Sequence, residues 1–181
     1  MGDTVIETER LVLRKWREED RAPFAAMNAD PVVMRYFKSV LARAESDVLV
    51  DRISAHFEKH GFSLFALERK ADGAFLGFTG MLTGPADTPV AEDVEIGWRL
   101  AREYWRQGFA FEAASACIDW FWHHSDFPRL VSFTSDQNRP SQNLMQKLGF
   151  ERRPDLDFDH PHVDPDSNLL RHVTYCTKEP S

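Results

Sequence analysis

The chain is poor in cysteine and has no long apolar run. Its 181 residues include two cysteines, Cys117 and Cys176, too few for the disulfide framework of a small secreted domain. No apolar segment approaches the ~20 residues that a transmembrane helix requires, and the start MGDTVIETER lacks a basic, apolar leader. We therefore expect a cytoplasmic protein with two buried, reduced thiols and no membrane partner.

Basic charge is also scarce. The chain has 22 Lys and Arg against 29 Asp and Glu, a formal net charge of −7. Proteins that bind nucleic acid by neutralising phosphates usually have the opposite balance, so we expect no nucleic-acid partner. An acidic surface is compatible with cationic substrates and equally with ordinary solubility. The length is enough to bury one full core, and we expect residues 1–181 to form a single domain.

Two common phosphate-binding patterns are missing. The chain contains neither G-x-x-x-x-G-K-[ST] nor G-x-G-x-x-G after a strand, which excludes the P-loop and the dinucleotide fingerprint. Residues 95–122 offer a different arrangement. The apolar residues first alternate, as in a strand with one buried face: Val94, Ile96, Trp98 and Leu100. They then recur at spacings of three and four, as on one helix stripe: Ala110, Ala113, Ala114, Cys117, Ile118 and Phe121.

The turn between strand and helix, WRQGFA at residues 105–110, opens the helix. The first N–H groups of a helix have no intrahelical partner and, with the positive end of the helix dipole, they suit a phosphate or pyrophosphate. Gly108 would let a ligand approach the backbone closely. The segment alone is equally compatible with an ordinary β-α crossover that has a glycine in its loop.

A second segment, SDQNRPSQNLMQKLGF at residues 135–150, follows the apolar strand at residues 130–134. Pro140 suits the first turn of a helix and Gly149 its end, with Leu144 and Leu148 as the expected buried stripe. Elsewhere the patterns predict antiparallel hairpins early in the chain and β-α-β units late. This order indicates one three-layer α/β (α+β) domain around a mixed, mostly antiparallel sheet of six to seven strands, with about four helices. The first strand is expected at residues 8–16.

Taken together, these segments resemble the GNAT superfamily of acetyl-CoA-dependent N-acetyltransferases. EIGWRLAREYWRQGFAFEA is similar to its pyrophosphate-binding motif, and NRPSQNLMQKLGF is similar to its second CoA-contacting helix. The opening ETERLVLRKWREED, with NADPVVMRYF at residues 28–37, resembles the branch that contains the ribosomal-protein N-terminal acetyltransferases, the Rim type.

The resemblance implies where acetyl-CoA would bind. In this family the strand that matches residues 96–100 is splayed from the next strand and holds the pantetheine arm in the gap, which implies backbone contacts at Trp98, Arg99 and Leu100. The turn residues implied to contact the pyrophosphate are Arg106, Gln107, Gly108, Phe109 and Ala110. Asn138 is implied to contact the pantetheine or the strand backbone, with a plain helix cap as its alternative.

Glu95 is the candidate general base, with Asp93 on the same face as second choice. Forming an amide from a thioester needs a neutral amine, a polarised carbonyl and a proton for the leaving sulfur. The strand period directs the Glu95 side chain toward the side of Gly97 and Arg99. Its alternatives are a solvated carboxylate or a partner of Arg99.

The proton donor is less defined. Many relatives have a Tyr seven residues after the helix-opening Asn, where this chain has Met145. Ser141 lies one turn earlier on the same helix face and is the candidate acid. Other possibilities stay open. The thiolate leaves without a proton donor, or a bound water donates the proton, and Ser141 only bonds the backbone.

The tail at residues 155–172 contains five Asp and three His. Metal sites favour spaced ligands held by turns or helix faces, whereas this run is acidic and interrupted by proline. We expect no metal and a loop near the acceptor cleft.

The resemblance implies an N-acetyltransferase that transfers acetyl from acetyl-CoA directly to a primary amine, either a protein N-terminus or a small amine. The protein would be a monomer or homodimer. One alternative is a non-catalytic acyl-CoA-binding or regulatory domain of the same fold. Another is a structural domain whose turn binds no phosphate. The sequence does not identify the acceptor.

Overall fold

The computed structural model describes residues 3–178. Residues 1, 2 and 179–181 lie outside this range. The expectations of a start without a leader and of one domain over residues 1–181 include these residues.

The described residues contain nine strands, four α-helices and three short 3-10 helices, joined by loops. The strands are β1 (Thr4–Glu7), β2 (Leu11–Arg14), β3 (Leu64–Arg69), β4 (Phe75–Thr83), β5 (Val94–Leu100), β6 (Arg129–Ser135), β7 (Glu151–Arg152), β8 (Phe158–Asp159) and β9 (Arg171–Lys178). The helices are α1 (Arg21–Ala29), α2 (Arg43–His60), α3 (Phe109–His124) and α4 (Arg139–Lys147). Within residues 3–178, no helix is long and apolar enough to cross a bilayer.

The strands form one sheet in the order β1-β2-β3-β4-β5-β6-β9-β7, with β8 paired to β9. Only β5 and β6 run parallel among the pairs of the described residues. The predicted mixed, mostly antiparallel sheet with four helices is confirmed, although it has nine strands rather than six or seven.

The two additional strands are β1 and β8. A single strand was expected at residues 8–16, but the chain reverses there because Thr8 N–H donates to the Leu11 carbonyl at 3.0 Å and Leu11 N–H donates to Thr8 Oγ1 at 3.0 Å. Strand β8 has two residues, too short for alternation to show. It is held by Phe158, whose ring centroid lies 5.1 Å from that of Phe133.

Helices cover both faces of the sheet. Helix α3 packs on β4 and β5, and its predicted stripe is buried at Ala113, Ala114, Cys117 and Phe121. Helices α1 and α2 pack together on the other face, around a cluster that includes Phe24 and Phe78. The odd-numbered residues of β5 face this second layer, because Val94, Ile96 and Leu100 belong to the core under α3. Both cysteines are free and buried, as expected.

Helix α4 presents a different face to the core than predicted. Gln142 and Met145 are buried, whereas Leu144 and Leu148 are half-buried. The polar Gln142 can be inside because its Nε2 donates to the Asp136 carbonyl at 3.0 Å. Met145 is 1% exposed within the core under α3. Met145 therefore packs in the core, whereas Ser141, one turn earlier on the same helix, lines the cavity described below.

Candidate active site

Strands β5 and β6 form a fork. They pair only at Val94 with Leu130 and at Glu95 with Val131, although each strand has seven residues. Immediately beyond, the buried Ser132 donates its hydroxyl to the Ile96 carbonyl at 2.9 Å. A side chain thus replaces the next ladder bond and holds the strands where they separate. No periodic pattern in the sequence indicated this role of Ser132.

The fork leaves backbone groups of β5 directed into the gap. Along a strand, the N–H and C=O groups of successive residues point to opposite neighbours. The N–H of Ala101, the residue that follows β5, donates to the carbonyl of Leu76 in β4 at 2.9 Å. The Ile96 carbonyl, by contrast, accepts the Ser132 hydroxyl and so faces β6. The backbone groups of Trp98 and Leu100 therefore point toward β6, into the gap.

The three backbone contacts expected on β5 are thus not equivalent. The backbone groups of Arg99 point toward β4, so the expected ligand contact through them disagrees with the strand geometry, and it is the Arg99 side chain that lines the cavity described below. The Leu100 carbonyl accepts the Trp105 indole N–H at 2.8 Å. Trp105, which stands where related motifs often have Arg or Gln, therefore fixes the turn to the end of β5.

The turn before α3 has an unusual backbone. Arg106 and Gly108 have φ values of 60° and 83°, in the left-handed region that favours glycine. Arg106, Gln107 and Gly108 are exposed, Ala110 is half-buried, and Phe109 is 5% exposed and anchors the helix in the core. The amides at the start of α3 therefore adjoin an exposed turn, where a phosphate is well placed to meet them.

Arg10 supports this turn and was missed in the sequence. Its Nη1 donates to the Gln107 carbonyl at 3.0 Å, and its guanidinium carbon lies 4.4 Å from the Phe109 ring centroid. Its Nε donates to Glu112 Oε2 at 2.6 Å. Burial alone would raise the pKa of Glu112, but hydrogen bonds from Thr8 and Arg10 lower it overall. Arg10 thus offsets a carboxylate that would repel a phosphate. Its distance from the turn along the chain hides this contact from any local pattern.

A cavity of about 440 Å³ opens beside the fork. It brings together Glu95, Trp98, Arg99, Asn138 and Ser141 with part of the tail. The pyrophosphate-turn residues, Arg106, Gln107, Gly108, Phe109 and Ala110, are not part of its wall. The cavity beside β5 and the exposed turn are therefore two separate regions of the candidate site.

Glu95 has an uncompensated carboxyl group in this wall. Burial raises its pKa to about 8, so it is largely protonated at pH 7 and ionised above pH 8. None of the ion pairs within residues 3–178 includes it. The side chain is therefore not a partner of Arg99, and it is half-buried where it meets the cavity. Asp93, the second choice, is held in a two-bond ion pair with Arg129 at 2.6 and 2.7 Å.

The raised pKa of Glu95 predicts a stability effect that does not depend on activity. Its ordinary value is 4.5 and its folded value is about 8, so its stabilising contribution is complete below pH 4.5 and is lost as the pH rises through 8. Glu95→Gln should therefore have a melting temperature a few degrees above that of the wild type at pH 8.5, and this advantage should shrink at pH 5.5. The exposed Glu92→Gln serves as control. A Glu95→Gln difference that is constant across this pH range would contradict a buried carboxyl.

Asn138 and Ser141 begin α4 beside the cavity. Asn138 Oδ1 accepts the Ser141 N–H at 3.3 Å, and Asn138 Nδ2 donates to Thr134 Oγ1 at 2.9 Å. Asn138 thus caps α4, and both Asn138 and Ser141 line the cavity.

Histidines of the tail form another part of the wall. The rings of His160 and His172 lie 4.8 Å apart. Burial, together with repulsion from His172 and His162, lowers the pKa of His160 to about 4, so this ring is neutral at pH 7. Among residues 3–178, no group of three or more His, Cys, Asp or Glu side chains has a geometry that could hold a metal ion.

Known proteins share this sequence pattern. A family model described as an acetyltransferase (GNAT) domain matches residues 10–151. YkkB of Bacillus subtilis, an uncharacterized protein, is 29% identical over 147 residues, covering 81% of this chain and 84% of YkkB. YoaA of the same organism, described as an uncharacterized N-acetyltransferase, is 25% identical over 150 residues, covering 82% and 83% of the two chains.

Solved structures share the fold. An acetyltransferase from Agrobacterium tumefaciens superposes with a TM-score of 0.79 at 25% identity, over 98% of this chain and 95% of that one. The microcin C7 self-immunity acetyltransferase MccE, solved with acetyl-CoA and AMP, superposes with a TM-score of 0.75 over 94% and 93% of the chains. Its identity is 11%, so this likeness concerns the fold alone.

Proposed function

The chain belongs to the GNAT family of acetyltransferases, and from this we propose that it transfers the acetyl group of acetyl-CoA directly to a primary amine. The observation that carries the proposal is the fork between β5 and β6, with a cavity on one side and the left-handed turn before α3 at its end. The acetyl-CoA complex of MccE, which has the same fold, supports the choice of acyl donor.

The fork offers places for both ends of the donor. Its gap is lined by Trp98 and by the backbone N–H of Leu100, which would hold the pantetheine arm. The exposed turn with Arg106, Gln107 and Gly108 would hold the pyrophosphate through its amides and the helix dipole. We assign the Trp98 N–H to polarise the thioester carbonyl, as donors in an oxyanion hole do.

Glu95 is assigned to the amine. The reaction forms a C–N bond, breaks the C–S bond and needs one proton removed from nitrogen and one delivered to sulfur. A carboxyl with a pKa of about 8 is partly ionised near neutrality and, as a base, is better matched to an amine than an exposed glutamate. Ser141 is assigned to the departing thiolate. A free thiol has a pKa near 8.5, so the thiolate is a fair leaving group and this assistance should be modest.

We further propose that the chain forms one domain and acts in the cytoplasm, as a monomer or homodimer. The Rim-type branch, with a protein N-terminus as acceptor, rests on the opening segment and stays a prediction.

The experiment is a transfer assay with the wild-type chain. Purified protein is incubated with acetyl-CoA and a panel of amines and N-terminal peptides, and both released CoA thiol and the acetylated product are quantified. We expect product in equimolar amount with thiol for at least one acceptor class. Acetyl-CoA binding without any product would instead indicate the non-catalytic regulatory domain. Absence of binding would contradict both and leave a structural domain.

A further inference from the structure

The side chain of Arg99 is held in an organised site on the wall of the cavity. Its Nη1 donates to Asn28 Oδ1 at 2.6 Å. Asn28 is fully buried, and its Nδ2 donates to Ser46 Oγ at 2.9 Å, which directs its oxygen toward Arg99. The guanidinium carbon lies 4.0 Å from the Phe37 ring centroid and 5.3 Å from that of Phe78. Two helices and two aromatic rings thus position one cation.

This cation has no counter-ion. None of the ion pairs among residues 3–178 involves Arg99, and its buried Nε has no hydrogen-bond partner there. Burial lowers its pKa to about 10, which still leaves it charged at pH 7. A buried charge is costly unless it is paired, so an arginine in this position is suited to an anion supplied from outside the chain.

The charge of the cavity is opposite to that of the protein. The whole chain carries −7, yet the cavity wall contains Lys38, Arg99 and a single acidic residue, Glu95. Because Glu95 is largely protonated at pH 7 and the His160 ring is neutral, the two cations are uncompensated. The acidic surface, which was compatible with cationic substrates, therefore does not describe the cavity.

We propose that the acceptor is an amine that also carries a carboxylate, and that Arg99 binds this carboxylate through the part of its guanidinium group that lines the cavity. This proposal rests on the proposed acetyl transfer and names its substrate class. The planar guanidinium matches a carboxylate with two parallel hydrogen bonds, which a lysine cannot provide.

The strand sets the spacing between the two ends of such an acceptor. Glu95, Gly97 and Arg99 lie on one side of β5 and all line the cavity. Two residues of a strand span about 7 Å, so an amine placed at Gly97 lies between the Glu95 carboxyl and the Arg99 site. The carboxylate would then bind on the Arg99 side and the amine proton would leave on the Glu95 side.

The test compares matched acceptors. Glycine, β-alanine, 4-aminobutanoate and 6-aminohexanoate are each paired with the alkylamine and the carboxamide of the same chain length, and kcat/KM is measured with saturating acetyl-CoA. We expect the best amino acid to exceed its two partners by about 100-fold, the size of discrimination lost when a charged hydrogen bond is left unpaired. Equal rates for all three members of each set would overturn the proposal.

Variants separate recognition from a merely structural role. Arg99→Met should abolish the preference for the carboxylate, because kcat/KM should fall far more for the amino acid than for the carboxamide of the same length. Arg99→Lys should keep part of the preference. Arg102 is an exposed arginine outside the cavity. Arg102→Met removes the same charge and should change neither the preference for the carboxylate nor the rate with the carboxamide. If Arg99→Met lowers kcat/KM equally for all acceptors, Arg99 serves only to hold the segment around Phe37 in place, and carboxylate recognition is overturned.

A binding measurement separates this proposal from the proposed function. Saturation-transfer NMR with 6-aminohexanoate and hexylamine needs no turnover. If no amine is acetylated, the proposed transfer activity fails. The anion site would still be supported if 6-aminohexanoate binds to the wild type and if Arg99→Met and Arg99→Lys weaken this binding. Absence of any binding preference for the amino acid would overturn the anion site itself.

Discussion

Glu95→Gln is expected to lower kcat/KM by about 10²–10⁴-fold, the usual contribution of a positioned general base. Glutamine retains the size and hydrogen-bonding groups of the protonated side chain but cannot accept the amine proton. Because burial raises the pKa of Glu95 to about 8, the wild-type kcat/KM should rise with pH through that value. The profile of the variant should lose this dependence.

The acceptor for this experiment should have its own amine pKa well below 7, so that the amine is neutral throughout and only the enzyme titrates. Glu92→Gln, an exposed carboxylate three residues earlier, is the matched control and should keep the wild-type profile. If Glu95→Gln reacts at the wild-type rate with an unchanged profile, Glu95 is a structural residue and the base lies elsewhere.

The second large effect is expected at Gly108. Gly108→Asp should weaken acetyl-CoA binding by about 100-fold, because two like charges near a protein surface repel by a few kcal/mol at close range. A Cβ at this position would lie 3.3 Å from Arg10 Nη2. The new carboxylate would thus also draw away the guanidinium that offsets Glu112. Ser141→Ala, with its modest role, should lose much less activity.

The control for Gly108→Asp is Gly108→Asn. Both variants place a side chain at φ 83° and share its strain, which Asn and Asp tolerate better than most residues, so their difference isolates charge. Calorimetric titration with acetyl-CoA, after circular dichroism has shown both to be folded, measures this difference. Equal affinities for the two variants would contradict a phosphate at the turn.

Local patterns in the sequence reveal the elements that carry the site. The alternation along β5 identifies its buried face because one face packs under α3, and Val94, Ile96 and Leu100 are buried as that pattern requires. The glycine of the turn and the asparagine before α4 are visible for the same reason, since backbone conformation and helix capping depend on neighbouring residues.

Contacts between distant segments decide the remainder. Ser132 holds the fork across 36 residues, Arg10 reaches Gln107 across 97, and Asn28 positions Arg99 across 71. No helix or strand period extends over such separations, so these roles appear only when the chain is folded. The burial of Met145 could not be predicted for the same reason. It depends on how α4 packs against the sheet and on the hydrogen-bond partners that allow Gln142 to be buried.

The net charge of the chain does not describe the cavity, for a related reason. Most of the acidic residues are on the surface, where solvent screens their charge, whereas the charge of the cavity depends on the few ionisable side chains in its wall. The sign of a binding site follows from its wall and cannot be taken from a sum over the chain.

The location of acetyl-CoA is the central claim, and backbone amide NMR of the wild-type protein tests it most directly. Titration with acetyl-CoA should shift the amides of Trp98, Gly108, Phe109 and Ala110 most strongly, in proportion to a single saturable site. Larger shifts around the separate cavity of about 180 Å³ beside Lys15, Ile53 and Phe57, or no shifts at millimolar acetyl-CoA, would contradict the account.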